Sequence, residues 1–560
     1  MLRRSPLFLA LLLNLFFLAL YFAFGIVRHG SLDDYFMSTV LTGAYGGEYD
    51  VHMYFVNAAY GYFLKPFYTH FPKIGWYFIF ELAGTFAAFT TFTYFLIQRT
   101  GIKLGVALSV LLLASLTPDF YFQLSFTQCA TIYTASGILT IFSAQGKKRF
   151  LILGSLFLVA GSIMRWDGFL LGAPYLAVFL AIYAILQRNP QKKELVAIFL
   201  CIAAIYSIHT LDRNLYTQGE YKQYAAYQGP RSFFGDGAHY DKESAFDELQ
   251  ERGFNGADLW MLKKWVFYDT RVFSIDSLRP IIDIASNNQY ALNPGRTIVA
   301  FFLALSGTLT SGIGWCWALF CLILLFSKSK ESNFYPWLSL GIIAISIGYL
   351  LLVNRLAHHV VSGIWLYAIV SSIPFMQKDF LEGFGLADKK RRIIFTLPIV
   401  LSILFAFLGI SGQSSLKKQW HIIEHADTPT EWQFFLDYAK KHVDDVFLLS
   451  FERYKDLGTY RNPPYKAITP QSWQNIFSWG YWNIYLPAMT HELSKRGVTN
   501  PIRDIVHDNV YTIEDDNKPS LLEFYQKHYH DSLWVDTVET FGKLMLLKYH
   551  STATPRVEEN

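Results

Sequence analysis

The chain has 560 residues, of which 52% are hydrophobic and only 16% are charged, and its mean hydropathy is +0.24. Soluble domains carry about 25% charged residues, so this composition excludes a protein whose whole surface faces water. The net charge of +4 is too small for the cationic field that binding to nucleic acid requires, so nucleic acid is not an expected partner.

The first apolar run extends from Pro6 to Val27 and follows the basic start MLRRS. A secretory signal peptide has an apolar core of about 7–15 residues followed by a small-residue cleavage site. This run is longer and lacks such a site. The sequence therefore predicts a retained first transmembrane helix.

Further apolar runs of about 20 residues, the length that spans a bilayer, follow along the chain. We predict roughly eleven transmembrane helices in all. They cover 6–27, 76–98, 101–117, 126–144, 150–164, 168–187, 194–209, 306–327, 334–353, 357–376 and 393–412. The stretch from Arg296 to Phe326 is too long for one simple span, and Gly307 and Gly312 indicate a break, as in a re-entrant or interfacial helix.

Lysine and arginine concentrate in alternate connections between these runs. The basic residues are Arg3, Arg4, Arg99, Lys103, Lys147, Lys148, Arg149, Arg188, Lys192, Lys193, Lys328, Lys330, Lys389, Lys390, Arg391 and Arg392. The intervening short connections are almost free of positive charge, so the positive-inside rule predicts that the basic connections and the N-terminus are cytoplasmic.

Three polar segments then share the opposite side of the membrane. They are the loops 28–75 and 210–295 and the tail after the last span, at 413–560. The tail contains a helical pattern, EWQFFLDYAKKHV, and a buried-strand pattern, VFLLSF. The predicted fold is therefore mainly α, a polytopic helical bundle at 1–412 with an extracytoplasmic α/β domain at 413–560.

The cysteines give no disulfide framework outside the cytoplasm, because all four lie in or beside apolar stretches. They are Cys129, Cys201, Cys316 and Cys321. The sequence also has no acceptor site for N-glycosylation, which favours a bacterial plasma membrane over a glycosylating secretory pathway.

The first outer loop opens with GSLDDYF, which places Asp33 and Asp34 just beyond the first helix. Two adjacent carboxylates can bind a divalent cation such as Mg²⁺ or Mn²⁺, and one of them can take a proton from an attacking hydroxyl. The alternative is structural, since Ser31 or Asp33 can cap the N-terminus of an interfacial helix.

Two short connections bring charge close to the membrane. Asp119 follows Pro118 in a loop without a basic partner, so it is either a second acid of a site or a solvated turn residue. Arg165 and Asp167 lie in MRWDGF with almost no loop around them. Arg165 is therefore either a phosphate ligand or half of a salt bridge with Asp167.

Later segments on the same side contribute basic groups. Arg231 lies in a polar, glycine-rich part of the second outer loop, and Arg355, His358 and His359 lie in VNRLAHHVVSG. A zinc site needs more convergent ligands, whereas a cradle for a phosphate needs only Arg and donor His groups.

One motif indicates a different chemistry. WHIIEH gives His421, Glu424 and His425 in the H-x-x-E-H order of inverted zinc peptidases. Such a site also needs a third ligand, which the sequence does not identify.

Acidic residues directly after the first helix, basic residues at later junctions and an extracytoplasmic C-terminal domain together resemble the GT-C class of membrane glycosyltransferases. The resemblance covers the topology of the whole chain but only a few motif residues. It implies an enzyme that transfers a hexose or pentose, with inversion, from a polyprenyl-phosphate donor to a cell-envelope glycan or lipid-linked acceptor. A WWD-type signature of oligosaccharyltransferases is absent, so transfer of a whole glycan to asparagine is not expected.

By this resemblance Asp33 or Asp34 is the catalytic acid motif, and Asp119 is a second carboxylate. The expected ligands of the donor phosphate are Arg165, Arg231, Arg355, His358 and His359. Two other functions stay open: a flippase or transporter of lipid-linked glycans, and a ligase or polymerase of surface glycans. A transporter would carry charge in mid-helix and show inverted repeats, and neither is apparent in the sequence.

Overall fold

The computed structural model describes residues 5–185, 192–234, 242–287, 294–309, 312–325, 327, 330–353, 356–377, 396–398, 400–405, 407–408, 431–459, 463–514 and 518–552. Within these residues the chain is mainly α-helical, with one small sheet near the C-terminus. The predicted combination of a helical bundle and a C-terminal α/β unit is confirmed at this level.

The first helix, α1, covers Pro6–Phe24 and is followed by two helices of the first outer loop, α2 (Leu32–Leu41) and α3 (Ala58–His70). Pro6 suits the first turn of α1, where its missing N–H has no helical partner to lose. Ser31 caps α2, because its side chain accepts a hydrogen bond from the Asp34 N–H at 3.2 Å.

Seven further helices form the centre of the bundle. They are α4 (Trp76–Thr100), α5 (Ile102–Phe120), α6 (Phe126–Ser143), α7 (Lys148–Met164), α8 (Trp166–Leu170), α9 (Ala173–Ile185) and α10 (Lys192–Thr217). Every residue of α6 is buried, so this helix is surrounded by the others. Its N-terminus begins at Phe126, after the N-cap Ser125.

Four short helices of the second outer loop and four apolar helices follow. They are α11 (Tyr221–Ser232), α12 (Lys242–Glu251), α13 (Gly256–Lys263), α14 (Ile275–Asn287), α15 (Pro294–Leu309), α16 (Gly312–Leu325), α17 (Lys330–Leu352) and α18 (His358–Val370). A predicted break is confirmed, because the helical segments Thr297–Gly307 and Gly312–Leu325 meet at an angle of 79°.

Five helices of the described residues are long and apolar enough to cross a membrane, or six if the bent pair is one span. The five are Pro6–Phe24, Trp76–Thr100, Ile102–Phe120, Lys193–Thr217 and Glu331–Leu352. The count of eleven also includes shorter helices such as α7 and α18, so that number stays a prediction. The same holds for the side of the membrane that each loop faces.

The C-terminal region folds around a five-stranded sheet. Its elements are α19 (Glu431–Lys441), β1 (Val446–Leu449), α20 (Phe451–Thr459), β2 (Ile476–Ser478), α21 (Pro487–Lys495), β3 (Val510–Ile513), α22 (Lys518–Tyr529), β4 (Leu533–Phe541) and β5 (Leu544–Ser551). The strand order is β2-β1-β3-β5-β4, in which β1 pairs in parallel with β2 and β3, and the other pairs are antiparallel. The VFLLSF pattern contains β1, whose four residues are all buried.

This C-terminal region packs directly on both outer loops. Ile74 and Lys466 form an isolated antiparallel bridge, and the Trp473 N–H donates to the Ala44 carbonyl at 2.9 Å. On the second loop, the Gln228 amide donates to the Trp482 carbonyl at 2.7 Å. The three polar segments that we predicted on one side of the membrane are therefore in contact with one another.

Candidate active site

Asp34 is completely buried at the start of α2. Its carboxylate accepts hydrogen bonds from the Ser31 hydroxyl at 2.6 Å, the Tyr77 hydroxyl at 2.8 Å and the Phe126 N–H at 3.0 Å. Burial raises the pKa of Asp34 to about 7, although these three hydrogen bonds oppose the shift. Asp34 is thus fixed between α2, α4 and the N-terminus of α6.

Asp33, the neighbouring residue, is only partly buried. Its carboxylate accepts a hydrogen bond from the Tyr481 hydroxyl, which comes from the C-terminal region. The two adjacent acids therefore differ in environment: Asp34 is enclosed by the bundle, whereas Asp33 lies where the first loop meets the tail.

The N-terminus of α6 connects Asp34 to Arg165. The Phe126 N–H donates to Asp34, and the next residue, Thr127, accepts a hydrogen bond from the Arg165 guanidinium at 2.6 Å. The guanidinium also lies over the Phe126 ring, 5.0 Å from its centroid. Asp167 is 4.0 Å from the Arg165 Nε and is 74% exposed, so the salt bridge between these two residues is a minor contact.

α18 places its polar N-terminal turn beside this arginine. His359 is close enough to Arg165 for the two side chains to interact electrostatically. Asp119, at the end of α5, accepts a hydrogen bond from the Ser362 hydroxyl at 2.6 Å and interacts with His358. Asp119 is therefore tied to α18 and is not a fully solvated turn residue.

Arg231 lies in a different part of the same region. It is 3% exposed, donates from its Nε to the Gln228 amide oxygen at 2.9 Å, and lies 5.6 Å from the centroid of the Trp265 ring. It also interacts electrostatically with Tyr481, the residue that donates to Asp33. Arg231 is thus linked to Asp33 through Tyr481, and Arg165 is linked to Asp34 through the first two residues of α6.

Phe55, from the first outer loop, joins these groups. Its ring centroid is 5.9 Å from that of Phe126 and 5.6 Å from that of Trp482, which follows Tyr481 in the chain. Acids from the start of the chain and basic residues from distant junctions therefore adjoin one aromatic cluster. We refer to Asp33, Asp34, Phe126, Thr127 and Arg165 as the α6 cluster.

Asp34 is not placed to bind a divalent cation, and the role of Asp33 in binding one stays a prediction. Both oxygens of Asp34 already accept hydrogen bonds from protein groups, so neither is available as it stands to a hard cation. Among the residues that the structure describes, no group of three or more His, Cys, Asp or Glu side chains is arranged to hold a metal.

Two predicted elements lie outside the described residues. One is Arg355, in the connection before α18, and the other is the His421, Glu424 and His425 motif. The other predicted phosphate ligands lie within the residues that the structure describes. They are Arg165, Arg231, His358 and His359.

Sequence reasoning missed Glu81, which lies inside the apolar pattern of α4. It is completely buried and interacts electrostatically with Asp34. Its carboxyl lies within reach of the side chains of both Asp34 and Tyr77. A single carboxyl in a long apolar run is the available signal, because such a group is costly in a membrane helix and is commonly functional.

A second arrangement in the first loop was also missed. Asp50 contacts the Nδ1 of His52 at 2.7 Å, and the Tyr221 hydroxyl donates to the same carboxylate. The His52 ring stacks on Tyr221 with a centroid distance of 3.6 Å. This clamp fixes the loop against the start of α11.

Comparisons with known proteins give structural matches alone. No family model matches the chain, and no curated protein matches it. Solved structures of ArnT from Cupriavidus metallidurans do match. The structure in the apo state is 11% identical, with a TM-score of 0.37 over 96% of this chain and 97% of that chain. The one bound to undecaprenyl phosphate is 10% identical, with a TM-score of 0.35 over 97% and 99%. TM-scores this low carry no argument about the function of this chain.

Proposed function

We propose that this protein is a membrane glycosyltransferase that moves a hexose or pentose from a polyprenyl-phosphate donor to a hydroxyl of a cell-envelope glycan or lipid-linked acceptor. The reaction would take place on the extracytoplasmic face and would invert the anomeric centre. The carrier lipid is a substrate, so the site belongs where a headgroup can reach it from the bilayer.

One observation carries this proposal. Two successive residues at the start of α6 contact an aspartate and an arginine that are far apart in the sequence. The Phe126 N–H donates to Asp34, and the Thr127 hydroxyl accepts a hydrogen bond from Arg165. Glycosyl transfer from a lipid phosphate needs a carboxylate near the attacking oxygen and a cation near the leaving phosphate. In this proposal Asp33, the neighbour of Asp34 in the chain, supplies the carboxylate, and Arg165 supplies the cation.

Asp33 is the better candidate for the base, because it is partly exposed and Asp34 is enclosed. In the proposed step the acceptor oxygen attacks the anomeric carbon and its proton passes to the Asp33 carboxylate. The bond between that carbon and the phosphate oxygen breaks, and both electrons leave with the phosphate. Asp34 acts as a positioning residue that holds α2 against α6.

Arg165 is suited to the departing phosphate. Its side chain is 27% exposed, and its planar guanidinium, the group suited to binding a phosphate, is oriented by Thr127 and Phe126. A fixed cation stabilises the charge that develops on the leaving group without reorganising during the reaction. His359 adds a polar neighbour to this arginine.

The test is Asp33→Asn in the full-length protein, with membrane insertion confirmed. Transfer from radiolabelled polyprenyl-phosphate sugars is measured in vesicles over a panel of hexose and pentose donors. We expect a loss of about 10²–10⁴-fold in the rate, the range typical of a lost general base. Glu48→Gln, an exposed acid of the same loop, is the matched control and should keep full activity.

Full transfer by both Asp33→Asn and Asp34→Asn would contradict the proposal. The assay also separates the competing functions. A flippase would move the labelled lipid across the membrane without cleaving the bond between sugar and phosphate. A ligase or polymerase would cleave an oligosaccharide donor and leave donors with a single sugar intact.

A further inference from the structure

A group of aromatic rings lies beside Asp33, where the second outer loop meets the C-terminal region. Tyr481, whose hydroxyl donates to Asp33, stacks on Phe451 with a centroid distance of 4.9 Å. The Trp265 ring is 4.9 Å from that of Phe451 and 5.6 Å from that of Tyr481. We refer to Trp265, Phe451 and Tyr481 as the aromatic triad.

The triad is open to the surroundings on the side of two of its rings. Tyr481 is buried, whereas Trp265 and Phe451 are partly exposed, as Asp33 is. From the Phe451 ring centroid, the path through the Tyr481 ring and its hydrogen bond to the Asp33 carboxylate is about 10 Å long. Two linked sugar rings cover that distance, so one acceptor molecule can reach both Asp33 and the triad.

Trp265 has a backbone conformation that bulky residues rarely adopt. It comes directly after the C-cap of α13 with a φ of 64°, and its N–H donates to the Leu262 carbonyl at 3.0 Å. Glycine or asparagine is usual at this position after a helix, and residues strained in this way are concentrated at functional sites. Gly480 packs on the same turn, because a Cβ there would lie 2.4 Å from the Lys264 carbonyl oxygen. The C-terminal region therefore supports the backbone that presents the Trp265 ring.

The triad also has a polar edge. The Lys264 ammonium contacts the Glu452 carboxylate at 2.9 Å, and the Glu452 side chain is 53% exposed. These two residues directly adjoin Trp265 and Phe451 in the chain. Apolar ring faces with a few charged groups at their margin are typical of a site that binds a small polar molecule. A sugar fits such a site, because its C–H face packs on an aromatic ring while its hydroxyls bond to charged groups.

The position of the triad in the sheet agrees with a binding role. Phe451 follows β1 and Tyr481 follows β2, and these two strands are parallel. Both rings therefore come from the carboxyl end of parallel strands, which is where ligands of such sheets commonly bind.

The surroundings of Asp33 limit the direction in which an acceptor can extend. Asp34, the next residue, is completely buried within the bundle. The proposed donor phosphate lies at Arg165, which is connected to Asp34 through α6. An acceptor whose hydroxyl lies at Asp33 therefore extends toward the C-terminal region, and the aromatic triad is the surface that it meets there.

We propose that the aromatic triad binds a sugar unit of the acceptor, so that the acceptor is a glycan of at least two sugars and is recognised by its sugars rather than by a lipid anchor. Trp265 and Phe451 would stack on one sugar while the next presents its hydroxyl to Asp33. This inference rests on the proposed function and names the acceptor class that the function leaves open.

Binding of neutral trisaccharides to the full-length protein in nanodiscs tests the inference. The probes are maltotriose, cellotriose and chitotriose, and saturation-transfer difference NMR measures the Kd of each. Trp265→Leu and Phe451→Leu remove a ring face but keep an apolar side chain. We expect the Kd of the trisaccharide that binds best to rise about tenfold in each variant, and Trp265→Phe to restore most of the affinity.

A control and a second variant keep the test informative. Trp432→Leu replaces another partly exposed tryptophan, which lies in the C-terminal region with its ring 5.8 Å from that of Phe435, and should leave the Kd unchanged. Unfolding in SDS shows whether each variant is folded. Glu452→Gln changes an exposed side chain and applies even if a ring variant does not fold. It should raise the Kd at least about threefold, as for a lost charge-assisted hydrogen bond.

Several outcomes would overturn the inference. They are an unchanged Kd in the folded ring variants or in Glu452→Gln, no binding of any trisaccharide by the wild type, and sugar transfer to lipid-linked acceptors alone. The proposed function fails separately. If the wild type binds a trisaccharide through the triad but transfers no sugar from any polyprenyl-phosphate donor, the glycan site stands without the enzyme. If both leucine variants transfer sugar with an unchanged KM for the acceptor, the enzyme stands without this site.

Discussion

Two buried aspartates occupy the same local position in different regions. Asp34 is the third residue of α2, capped by Ser31, and Asp258 is the third residue of α13, capped by Asn255. Both are completely buried. Their surroundings differ in charge, because Asp34 is held by neutral donors, whereas Asp258 contacts the ammonium of Lys527 and the imidazole of His528.

The difference appears in the titration of the two carboxyls. Burial raises the pKa of Asp34 to about 7. Burial also acts to raise the pKa of Asp258, but hydrogen bonds from His528 and Lys527 outweigh it and lower the pKa below its usual value. A helix-capping pattern thus determines where an aspartate lies in the helix. The tertiary partners of that aspartate determine which of its protonation states is more stable in the folded protein.

Replacement by asparagine should separate the two sites most strongly. Asp258→Asn removes the charge that pairs with Lys527 and His528, so we expect the free energy of unfolding to fall by about 3 kcal/mol. Asp34→Asn keeps a neutral acceptor for Tyr77 and Phe126, and should cost less than about 1 kcal/mol. Unfolding of the detergent-solubilised protein by SDS, followed by tryptophan fluorescence, measures both. Equal losses would contradict the comparison.

The pH dependence should have opposite signs at the two sites. The raised pKa of Asp34 contributes stability that is fully present below about pH 4 and is lost as the pH rises through about 7. Asp34→Asn should therefore remove a decrease on the order of 2 kcal/mol between pH 5 and 7. The lowered pKa of Asp258 contributes stability above about pH 4 that is lost on acidification. Denaturation curves at several pH values check both signs. If the unfolding free energy of Asp34→Asn changes with pH as it does in the wild type, the prediction for Asp34 is wrong.

A hydrophobic replacement tests whether the contacts of Asp34 matter more than its charge. Asp34→Leu leaves the Tyr77 hydroxyl and the Phe126 N–H buried without an acceptor, so we expect a loss of about 1–2 kcal/mol in unfolding free energy. The same denaturation assay compares it with Asp34→Asn as the isosteric control. If leucine is tolerated as well as asparagine, the hydrogen bonds at this site do not stabilise the fold.

The smallest expected effect concerns Arg165, which is linked to Asp34 through the first two residues of α6. Arg165 donates a hydrogen bond to the Thr127 hydroxyl, one residue beyond the N–H that binds the Asp34 carboxylate. Arg165→Gln should therefore lower the unfolding free energy by only about 1 kcal/mol and leave its slope between pH 5 and 7 unchanged, while sugar transfer is lost. A changed pH dependence of the unfolding free energy would mean that Arg165 neutralises Asp34. Asp34 and Asp258 would then both be paired with cations and would differ only in the strength of that pairing.

Much of the architecture follows from the sequence by simple rules. Apolar runs predict α1, α4, α5, α10 and α17, because the cost of burying unpaired backbone groups in lipid allows a helix and little else. Ser31 also fulfils its alternative prediction as a helix cap. These outcomes depend on neighbours within one helical turn or on the composition of about twenty residues.

The site is predictable only in part, because its contacts join distant segments. The pattern GSLDDYF indicates two acids but does not distinguish the enclosed Asp34 from the partly exposed Asp33. That difference is made by Tyr77, Phe126 and Tyr481, which lie elsewhere in the sequence. The ring contacts of Phe55 likewise arise from packing, which no local pattern encodes.

The hydrogen bond from Tyr481 to Asp33 joins residues separated by 448 positions. During synthesis, Asp33 leaves the ribosome long before its partner exists. The first helices can therefore insert while the acidic pair still lacks its C-terminal cover. Assembly of this region is complete only when the tail has been made and has folded onto the first loop, so a chain cut short by premature termination would carry the acids without the surface that orients them.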